Sequence, residues 1–544
     1  MKSGDYSNDI KSDIKKYNHL KLQIALKMER TRNSFILAKL TLFCGLGTTY
    51  PILKISSLFI ILVMSIFSAK AQDNTVRKEN NPNILFIVVD DLRPELGCYG
   101  KPQIKSPNID RLAKTGVVFK NAYCNYPVCG PSRASLLSGI YPSQKRFIGW
   151  DCSQDEAVPG IVSLPMHFKN NGYLTISLGK IYNNFGDGKG SWDKEWRPPT
   201  TTTQFWDYQS SESIRIHEAR SVEWAKDTSI HNFDNLPHKR GPAFEKPDVP
   251  DLAYMDGRIA NRALEELQDL KSSSKPFFLA VGFHKPHLPF NAPQKYWDMY
   301  NEKDILLPSN RFFPKDAPDA ARSNWGELRG YDGIPREGLL NTNTALKLIH
   351  GYYACVSYVD AQIGLILNEL ENLGLASNTI VVLLGDNGWF LGEHNLWCKS
   401  TNFENAFHVP LIIKVPWKVH GLKTEALVDF LDIYPTLCKL ANLSLPVHVQ
   451  GKSFVPLLNA PNQQWEDTIF CRSEGETIIT KTHAYTEWIN YSTGKVYSRM
   501  LYDHENDPEE NINIAEVSKN RRLIEELQKA LHNHLKERDK ITIP

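Results

Sequence analysis

The sequence has few cysteines and no paired cysteine motif. Nine cysteines occur among 544 residues, and no two of them are spaced as C-x-x-C. Zinc ribbons need such pairs, and disulfide scaffolds need a much higher density of cysteine. The sequence therefore argues against both classes. A chain of this length can instead bury a large apolar core.

A basic tract is also missing outside the N-terminal region. Residues 1–71 hold 11 of the 63 Lys+Arg and 4 of the 61 Asp+Glu. The remainder therefore carries 52 basic and 57 acidic residues, a net charge of −5. Proteins that bind nucleic acid usually present clustered Lys and Arg. We expect no nucleic-acid partner, and an anionic substrate would need a local positive pocket.

The apolar run from Ser56 to Phe67 is short of the roughly 20 residues that a transmembrane helix requires. Lys54 precedes the run, and Ala69-Lys70-Ala71 follows it, which is the order of parts in a signal peptide. We interpret residues 1–71 as an N-terminal extension and signal peptide that is cut after Ala71. The expected protein is exported, periplasmic or secreted, with no stable membrane insertion. A retained membrane anchor is the alternative.

What the sequence does contain is a series of short apolar runs alternating with helical patterns. The runs typical of buried parallel strands are residues 83–89, 173–178, 276–282, 379–384 and 409–415. Their alternation with helices predicts an α/β fold over residues 80–462, with a large doubly wound mixed sheet flanked by helices. Residues 463–544 are expected to form a smaller antiparallel α+β subdomain that ends in a helix. Residues 183–250 show little periodicity and are expected to be long loops.

Paired polar residues follow two of the predicted strands. Asp90-Asp91 ends the first strand, and Asp386-Asn387 ends the fourth. The carboxyl ends of parallel strands share one edge of a sheet, where ligands collect. Oxygen-rich side chains without soft ligands suit a hard divalent cation such as Ca²⁺ or Mg²⁺. Capping of the following helices is the alternative, and it accounts for one Asp at each place.

Basic side chains are predicted at the same edge. Lys180 follows the second strand, His284 and His287 follow the third, and His394 and Lys399 lie beyond the fourth. Such groups can neutralise an anionic substrate beside a metal. A solvated lysine and a histidine at the edge of the core are the alternatives, and for His394 alone the structural alternative is preferred.

The segment Cys129-Gly130-Pro131-Ser132-Arg133 precedes a predicted helix. The N-terminus of a helix favours negative charge beside Cys129. If the helix begins near Pro131, Arg133 lies in its first turn, and its guanidinium can fold back over residue 129. A free cysteine in a turn is the alternative, since short motifs also occur by chance.

These motifs occur together with several longer ones in a fixed order. Val88-Val-Asp-Asp-Leu-Arg-Pro-Glu-Leu-Gly-Cys-Tyr-Gly100 comes first, Phe277-Phe-Leu-Ala-Val-Gly-Phe-His-Lys-Pro-His-Leu-Pro-Phe290 lies in the middle, and Gly388-Trp-Phe-Leu-Gly-Glu-His394 comes later. In this combination the chain resembles the type I sulfatases of the alkaline-phosphatase superfamily. Within that superfamily it is most similar to the branch that acts on 2-O-sulfated uronic acids. The resemblance runs from about residue 83 to 458.

The resemblance implies an activity and a set of site residues. The implied reaction removes sulfate from a sulfated oligo- or polysaccharide, with a 2-O-sulfated uronic acid as the specific candidate. Cys129 would be converted to formylglycine (3-oxoalanine) by a formylglycine-generating maturation enzyme, and one hydroxyl of its gem-diol would attack sulfur. The residues that would hold one Ca²⁺ are Asp90, Asp91, Cys129, Asp386 and Asn387. Arg133 would steady the gem-diol. Those that would bind sulfate are Lys180, His287 and Lys399, of which His287 or Lys399 would protonate the leaving oxygen.

The chain departs from the family pattern at Asn183, where a histidine that deprotonates the gem-diol is common. Asparagine is not a base near neutral pH. Three functions therefore stay open: a sulfatase, a phosphodiesterase or phosphonate hydrolase of the same superfamily, and an inactive carbohydrate-binding relative. A second departure is Asn395 in place of glycine, which asparagine tolerates because it adopts left-handed backbone.

Overall fold

The computed structural model describes residues 81–199, 207–226, 240–322 and 326–540. The proposed extension and signal peptide, residues 1–71, lie outside the described residues. The strands are β1 Asn83–Val89, β2 Val117–Tyr123, β3 Leu174–Gly179, β4 Lys194–Trp196, β5 Phe244–Glu245, β6 Phe277–Phe283, β7 Phe290–Asn291, β8 Thr379–Gly385, β9 Phe390–Leu391, β10 Trp397–Cys398, β11 His408–Lys414, β12 Leu422–Asp429, β13 Thr468–Arg472, β14 Glu476–Thr480, β15 His483–Asn490 and β16 Lys495–Asp503. The helices are α1 Pro107–Lys114, α2 Cys129–Ser138, α3 Gln154–Ala157, α4 Leu164–Asn170, α5 Ser211–Lys226, α6 Met255–Lys271, α7 Gln294–Trp297, α8 Thr342–Asn372, α9 Glu404–Phe407, α10 Ile433–Leu440 and α11 Arg521–Arg538.

Eight strands form one twisted sheet in the order β12-β2-β11-β8-β1-β6-β3-β4. Strand β11 runs antiparallel to both of its neighbours, and all other neighbouring pairs are parallel. The carboxyl ends of β1, β2, β3, β4, β6 and β8 therefore share one edge of the sheet, where β11 begins. This arrangement confirms the predicted doubly wound mixed sheet.

Helices cover both faces of the sheet because the central strands are apolar on both sides. In β1, Leu85 and Ile87 pack with side chains of α6 and α8. The alternate residues Ile84 and Phe86 pack on the other face with side chains of α2, α4 and α10. A strand that is buried on both faces has no polar positions, which explains its continuous apolar sequence.

The C-terminal region forms a second, four-stranded antiparallel sheet in the order β13-β14-β15-β16. Helix α11 packs on it through Ile524, Leu527 and Leu531, which contact apolar side chains of the strands. The predicted small antiparallel subdomain is confirmed in architecture. Its boundary near residue 462 stays a prediction.

The interpretation of residues 183–250 as loops was wrong in part. Helix α5 and the short strands β4 and β5 lie within this range. The Ser210 hydroxyl accepts a hydrogen bond from the Ser213 backbone N–H, and the Glu245 carboxylate binds the backbone N–H groups of Gln209 and Ser210. The N-terminal cap of α5 therefore depends partly on the carboxylate of Glu245, which is distant in the sequence. That part of the cap gives no signal in the local sequence.

Strands β2, β12 and β16 were missed as well. In β12 the first four residues alternate between exposed and buried or half-buried positions, and they include charged side chains. An edge strand of this kind has little of the apolar continuity that identifies a central strand. The cysteines of the described residues are free thiols. Within the same ranges, no helix is both long and apolar enough to cross a membrane.

Candidate active site

The two acidic strand ends meet because β1 and β8 are neighbours in register. Val89 pairs with Gly385, so Asp90 and Asp386 come next on adjacent strands. The Asp91 backbone N–H donates to Asp386 Oδ1 over 2.9 Å. Asp91 itself has a φ of +60°, a left-handed conformation that is costly for a non-glycine residue. The turn brings both of its carboxylates to the edge of the sheet.

Cys129 is the first residue of α2, which enters the site from the end of β2. Its Sγ lies 3.1 Å from Asp90 Oδ1 and 3.9 Å from Asp91 Oδ1. The helix starts two residues earlier than expected, and the partial positive charge of its N-terminus is directed at residue 129. Gly139, with a φ of +70°, ends the helix in the left-handed cap that glycine favours.

Two lysines reach the same group of atoms from different strands. Lys180, which directly follows β3, places its Nζ 2.7 Å from Asp90 Oδ2. Lys399 lies between β10 and β11, with its Nζ 3.0 Å from Cys129 Sγ and in an ion pair with Asp91. Both side chains are buried, so each ammonium lies inside the site.

Arg133 lies one turn into α2 and is fully buried. Its Nε donates to Asp386 Oδ2 over 2.8 Å, and one terminal nitrogen donates to Asp90 Oδ1 over 3.3 Å. The other terminal nitrogen donates to the backbone carbonyls of Lys180 and Ile181. Arg133 therefore ties α2 to the ends of β1, β3 and β8.

His287 approaches from the loop after β6, together with a carboxylate that the sequence did not reveal. Its Nε2 lies 3.1 Å from Glu327 Oε1 and 3.8 Å from Asp91 Oδ2, and its Nδ1 lies 2.6 Å from the Leu288 carbonyl oxygen. Glu327 is buried, and it belongs to a segment without a recognisable motif. Arg322, Arg329 and Asp332 lie close to it in the sequence, so one more charged residue in this segment is not distinctive.

The charges in this cluster shift the ionisation of its members. Burial alone would raise the pKa of Asp90, but Lys180, His287 and Arg133 outweigh it and hold that pKa well below its usual value. Burial raises the pKa of Asp386 to about 6, against the opposing effect of Arg133. Burial, reinforced by Asp386 and Asp90, raises the pKa of the Cys129 thiol well above its usual value. An unmodified Cys129 is therefore a neutral thiol.

The remaining residues that the sequence singled out lie outside the cluster around Cys129. His284 is beside the site, where burial and the charge of Lys180 hold its pKa well below the usual value. His394 packs near Phe390 and Phe403, and burial lowers its pKa to about 4, which agrees with a histidine of the core. Asn183 donates from its side chain to the Trp150 carbonyl oxygen over 3.0 Å. Asn395 has the left-handed backbone expected of it, with a φ of +59°.

Comparison with known proteins identifies the family of this site. The family model described as Sulfatase matches residues 82–443, and a second model, described as N-sulphoglucosamine sulphohydrolase, C-terminal, matches residues 392–538. The chain belongs to the sulfatase family. It is accordingly a sulfuric ester hydrolase of the type I group.

One relative and two solved structures illustrate the similarity of this sulfatase to other proteins. Mouse (Mus musculus) iduronate 2-sulfatase is 33% identical over 404 residues, which cover 68% of this chain and 71% of the relative. A protein solved with its substrate D-glucosamine-2-N,6-O-disulfate superposes with a TM-score of 0.66 at 21% identity, over 84% of this chain and 98% of that one. The phosphonate monoester hydrolase of Agrobacterium radiobacter also gives 0.66 at 21% identity, over 84% and 96%. The two structures share the fold.

The residues of this sulfatase fit a divalent cation of the kind its family uses. Ligand atoms of Asp90, Asp91, Cys129 and Asp386 all lie within 4.8 Å of one another. Among the described residues, Asp91 Oδ2 and Asn387 Oδ1 are buried oxygens without a hydrogen-bond donor. Buried oxygens are normally satisfied, so unpaired ones in an acidic cluster suit a hard cation.

Proposed function

We propose that this sulfatase hydrolyses the sulfate ester of a sulfated saccharide, with a 2-O-sulfated uronic acid as the specific substrate. The observation that carries the proposal is the set of positive groups around Cys129. The ammonium of Lys399 lies 3.0 Å from its Sγ, and that of Lys180 lies 2.7 Å from the carboxylate beside it. The similarity to iduronate 2-sulfatase supports the choice of sugar.

In this proposal, the cation is Ca²⁺ and its ligands are Asp90, Asp91, Asp386, Asn387 and residue 129. When bound, Ca²⁺ would neutralise negative charge and polarise a sulfate oxygen. Residue 129 would act as formylglycine, whose hydrate offers a hydroxyl nucleophile in place of the neutral thiol.

The lysines would hold the sulfate group. An ammonium at hydrogen-bonding distance from residue 129 can contact a sulfate oxygen that reaches the same place. Lys180 follows β3 and contacts Asp90, whereas Lys399 follows β10 and contacts residue 129, so the two ammonium groups can bind different oxygens. A buried, fixed cation stabilises developing charge better than a mobile one in water.

His287 would give a proton to the leaving oxygen of the sugar. Its side chain is 19% exposed, whereas that of Lys399 is 2% exposed. A saccharide is too large to enter a buried cluster, so its oxygen must leave on the more open side. The Leu288 carbonyl oxygen holds Nδ1, so the proton would leave from Nε2, the atom that contacts Glu327 in this structure and that the leaving oxygen would then approach. Glu327 would keep the imidazole protonated, and Arg133 would keep the carboxylates in place without touching the substrate.

The test measures sulfate release from a sulfated uronic acid disaccharide and from an aryl sulfate, with an aryl phosphate diester as a third substrate. We expect turnover of the two sulfate esters and little of the diester. Preference for the diester would favour the phosphodiesterase alternative, which shares the fold. Saccharide binding without sulfate release would favour an inactive carbohydrate-binding relative. That alternative is considered because Asn183 replaces the histidine that is common in the family.

Replacement of Cys129 by alanine should abolish turnover and leave the fold intact. The side chain makes few structural contacts other than those with the site, so its loss should change the unfolding midpoint little. Mass spectrometry of the peptide that contains Cys129 should show an aldehyde when a maturation enzyme is co-expressed. Activity in Cys129→Ala near that of the parent would contradict the mechanism.

A further inference from the structure

The loop that contains Trp150 lies directly against the first turn of α2. Gly130 follows Cys129, and a methyl group added to Gly130 would collide with the Trp150 carbonyl oxygen. Glycine at this position therefore permits the two backbones to touch. As a result, the backbone of Trp150 lies beside the residue that is proposed to carry the nucleophile.

A second loop, which follows β3, is fastened to the first by two consecutive side-chain amides. Asn183 donates to the Trp150 carbonyl oxygen over 3.0 Å, and Asn184 donates to the Asp151 carbonyl oxygen over 2.7 Å. Because Lys180 begins this loop inside the site, the next exposed residue, Phe185, lies at its margin. The asparagine that replaces the expected histidine thus helps to join the two loops.

Arg197 stabilises the second loop through hydrogen bonds to its backbone. It follows β4, whose carboxyl end lies at the same edge of the sheet, and it donates to the backbone carbonyls of Tyr182 and Asn183 over 2.9 and 3.2 Å. Its guanidinium carbon lies 5.4 Å from the centre of the Phe185 ring. Burial lowers the pKa of Arg197 to about 10, so the group is still cationic near neutral pH.

The side chains of Trp150 and Phe185 are exposed, although Cys129 beside them is buried. Trp150 is 40% exposed and Phe185 is 63% exposed, while Cys129 is 6% exposed. By contrast, Trp192 and Trp196 pack against the apolar core and are unsuited to line a binding surface. Exposed aromatic groups at the mouth of a polar site are typical of ligand binding.

We infer that Trp150 and Phe185 form an aromatic rim that binds a pyranose ring of the saccharide substrate. The apolar C–H face of a pyranose can lie on an aromatic ring while its sulfate enters the site. The positive charge of Arg197 beside Phe185 favours a ring that carries sulfate or carboxylate. This inference rests on the proposed function and adds to it the position of the sugar.

The test measures the dissociation constants of heparin- and chondroitin-derived sulfated disaccharides by calorimetry. All variants carry Cys129→Ala, so that no turnover occurs during the titration. We expect Trp150→Ala and Phe185→Ala each to weaken binding on the order of three- to tenfold, the usual contribution of an aromatic contact.

Trp417→Ala is the matched control, because Trp417 is 45% exposed and follows β11 at the opposite edge of the sheet. It should bind as the parent does. Unchanged affinity in both rim variants would overturn the inference, as would equal weakening in the control. A parent that binds none of the disaccharides would also overturn it.

Failure of the proposed function has a separate readout. The wild-type protein, with Cys129 converted to formylglycine, is tested for sulfate release from the same disaccharides and from an aryl sulfate. No release from either would overturn the proposed function, whereas the calorimetric comparison would still decide whether the rim binds sugar.

Discussion

Glu327 and His287 are 40 positions apart in the chain, yet their side chains meet inside the site. The carboxylate lies 3.1 Å from Nε2, and Asp91 is the next acidic group, at 3.8 Å. Burial by itself lowers the pKa of His287, but Glu327 and Asp91 outweigh it, so the pKa is raised above the usual value. A carboxylate that holds a histidine in this way fixes the orientation of the ring.

Replacement of Glu327 by glutamine should therefore slow the reaction, and the loss should be larger for a substrate with a poor leaving group. A proton donor matters most when the departing oxygen is a poor leaving group, and general acids contribute about 10²- to 10⁴-fold. We expect kcat for a sugar sulfate to fall at least tenfold in Glu327→Gln, and that for a nitrophenyl sulfate to change much less.

His287→Ala should show the same selectivity with a larger loss, and Glu327→Asp should recover part of the activity. Equal losses on both substrates would indicate a structural role for Glu327 instead. The thermal unfolding midpoint, measured in parallel, shows whether each variant is folded.

At the scale of elements, helix α11 is attached to the C-terminal sheet by a buried ion pair as well as by apolar packing. Arg538, in its last turn, donates to both carboxylate oxygens of Glu476 on β14, at 2.5 and 2.9 Å. Arg472 on β13 donates to the same carboxylate over 3.1 Å. Glu476 is 2% exposed, so it depends on these partners for its charge.

Arg538→Met should lower the free energy of unfolding by roughly 2 to 4 kcal/mol, because it leaves a buried carboxylate with one cation fewer. Arg522→Met is the control on the same helix, since that arginine is 91% exposed in its pair with Glu526. The control should change stability by less than about 0.5 kcal/mol. Denaturant titration measures both, and a similar effect in the two variants would contradict the argument.

His534, also on α11, makes the stability of this element dependent on pH. Its ring stacks on Phe470 at a centroid distance of 3.8 Å. Burial, together with the charge of Arg538, lowers its pKa to about 3. The unfolded chain binds a proton at this histidine below about pH 6.5, whereas the folded chain stays neutral down to about pH 3.

Stability should therefore fall as the pH is lowered from 6.5, by up to about 2 kcal/mol at pH 5 from this residue alone. His534→Phe keeps an aromatic ring in the stack and removes the titrating group, so its stability should fall less steeply over the same range. Equal slopes for the parent and the variant in denaturant titrations would show that other groups cause the dependence.

For the whole molecule, the acidic cluster is the part of the site that is best suited to a bound cation. Asp90, Asp91 and Asp386 lie together with almost no exposure, and although each pairs with a lysine or arginine, Asp91 Oδ2 and the neighbouring Asn387 Oδ1 have no hydrogen-bond donor. Like charges that are buried together destabilise a fold unless a cation compensates them. A bound cation would stabilise the folded chain by its affinity, about 2.7 kcal/mol at 100 times its dissociation constant.

Removal of metal by a chelator should thus lower the thermal unfolding midpoint, and added Ca²⁺ should restore it. Asp386→Asn should weaken this response because it removes one ligand charge. Scanning calorimetry measures the effect without reference to activity. A midpoint that is the same with chelator and with Ca²⁺ would contradict the proposed site.

The positions of the main strands and of many site residues were predictable from the sequence because their signals are local. Strand β1 was predicted with its observed bounds, since a strand buried on both faces is apolar without interruption. Asp90 and Asp386 follow such strands directly, so one rule about parallel sheets brings them to the same edge. The edge strand β12 and helix α5 lack local signals of this kind.

The sequence by itself determined the class of fold, the order of the motifs and the chemistry that the residue types allow, because each depends on neighbours in the chain. Tertiary structure alone decided which distant groups touch: Glu327 with His287, and the loop of Trp150 with that of Phe185. Such contacts arise when the sheet and its connections fold together. No short stretch of sequence encodes the distance between two loops that join at the end of a sheet.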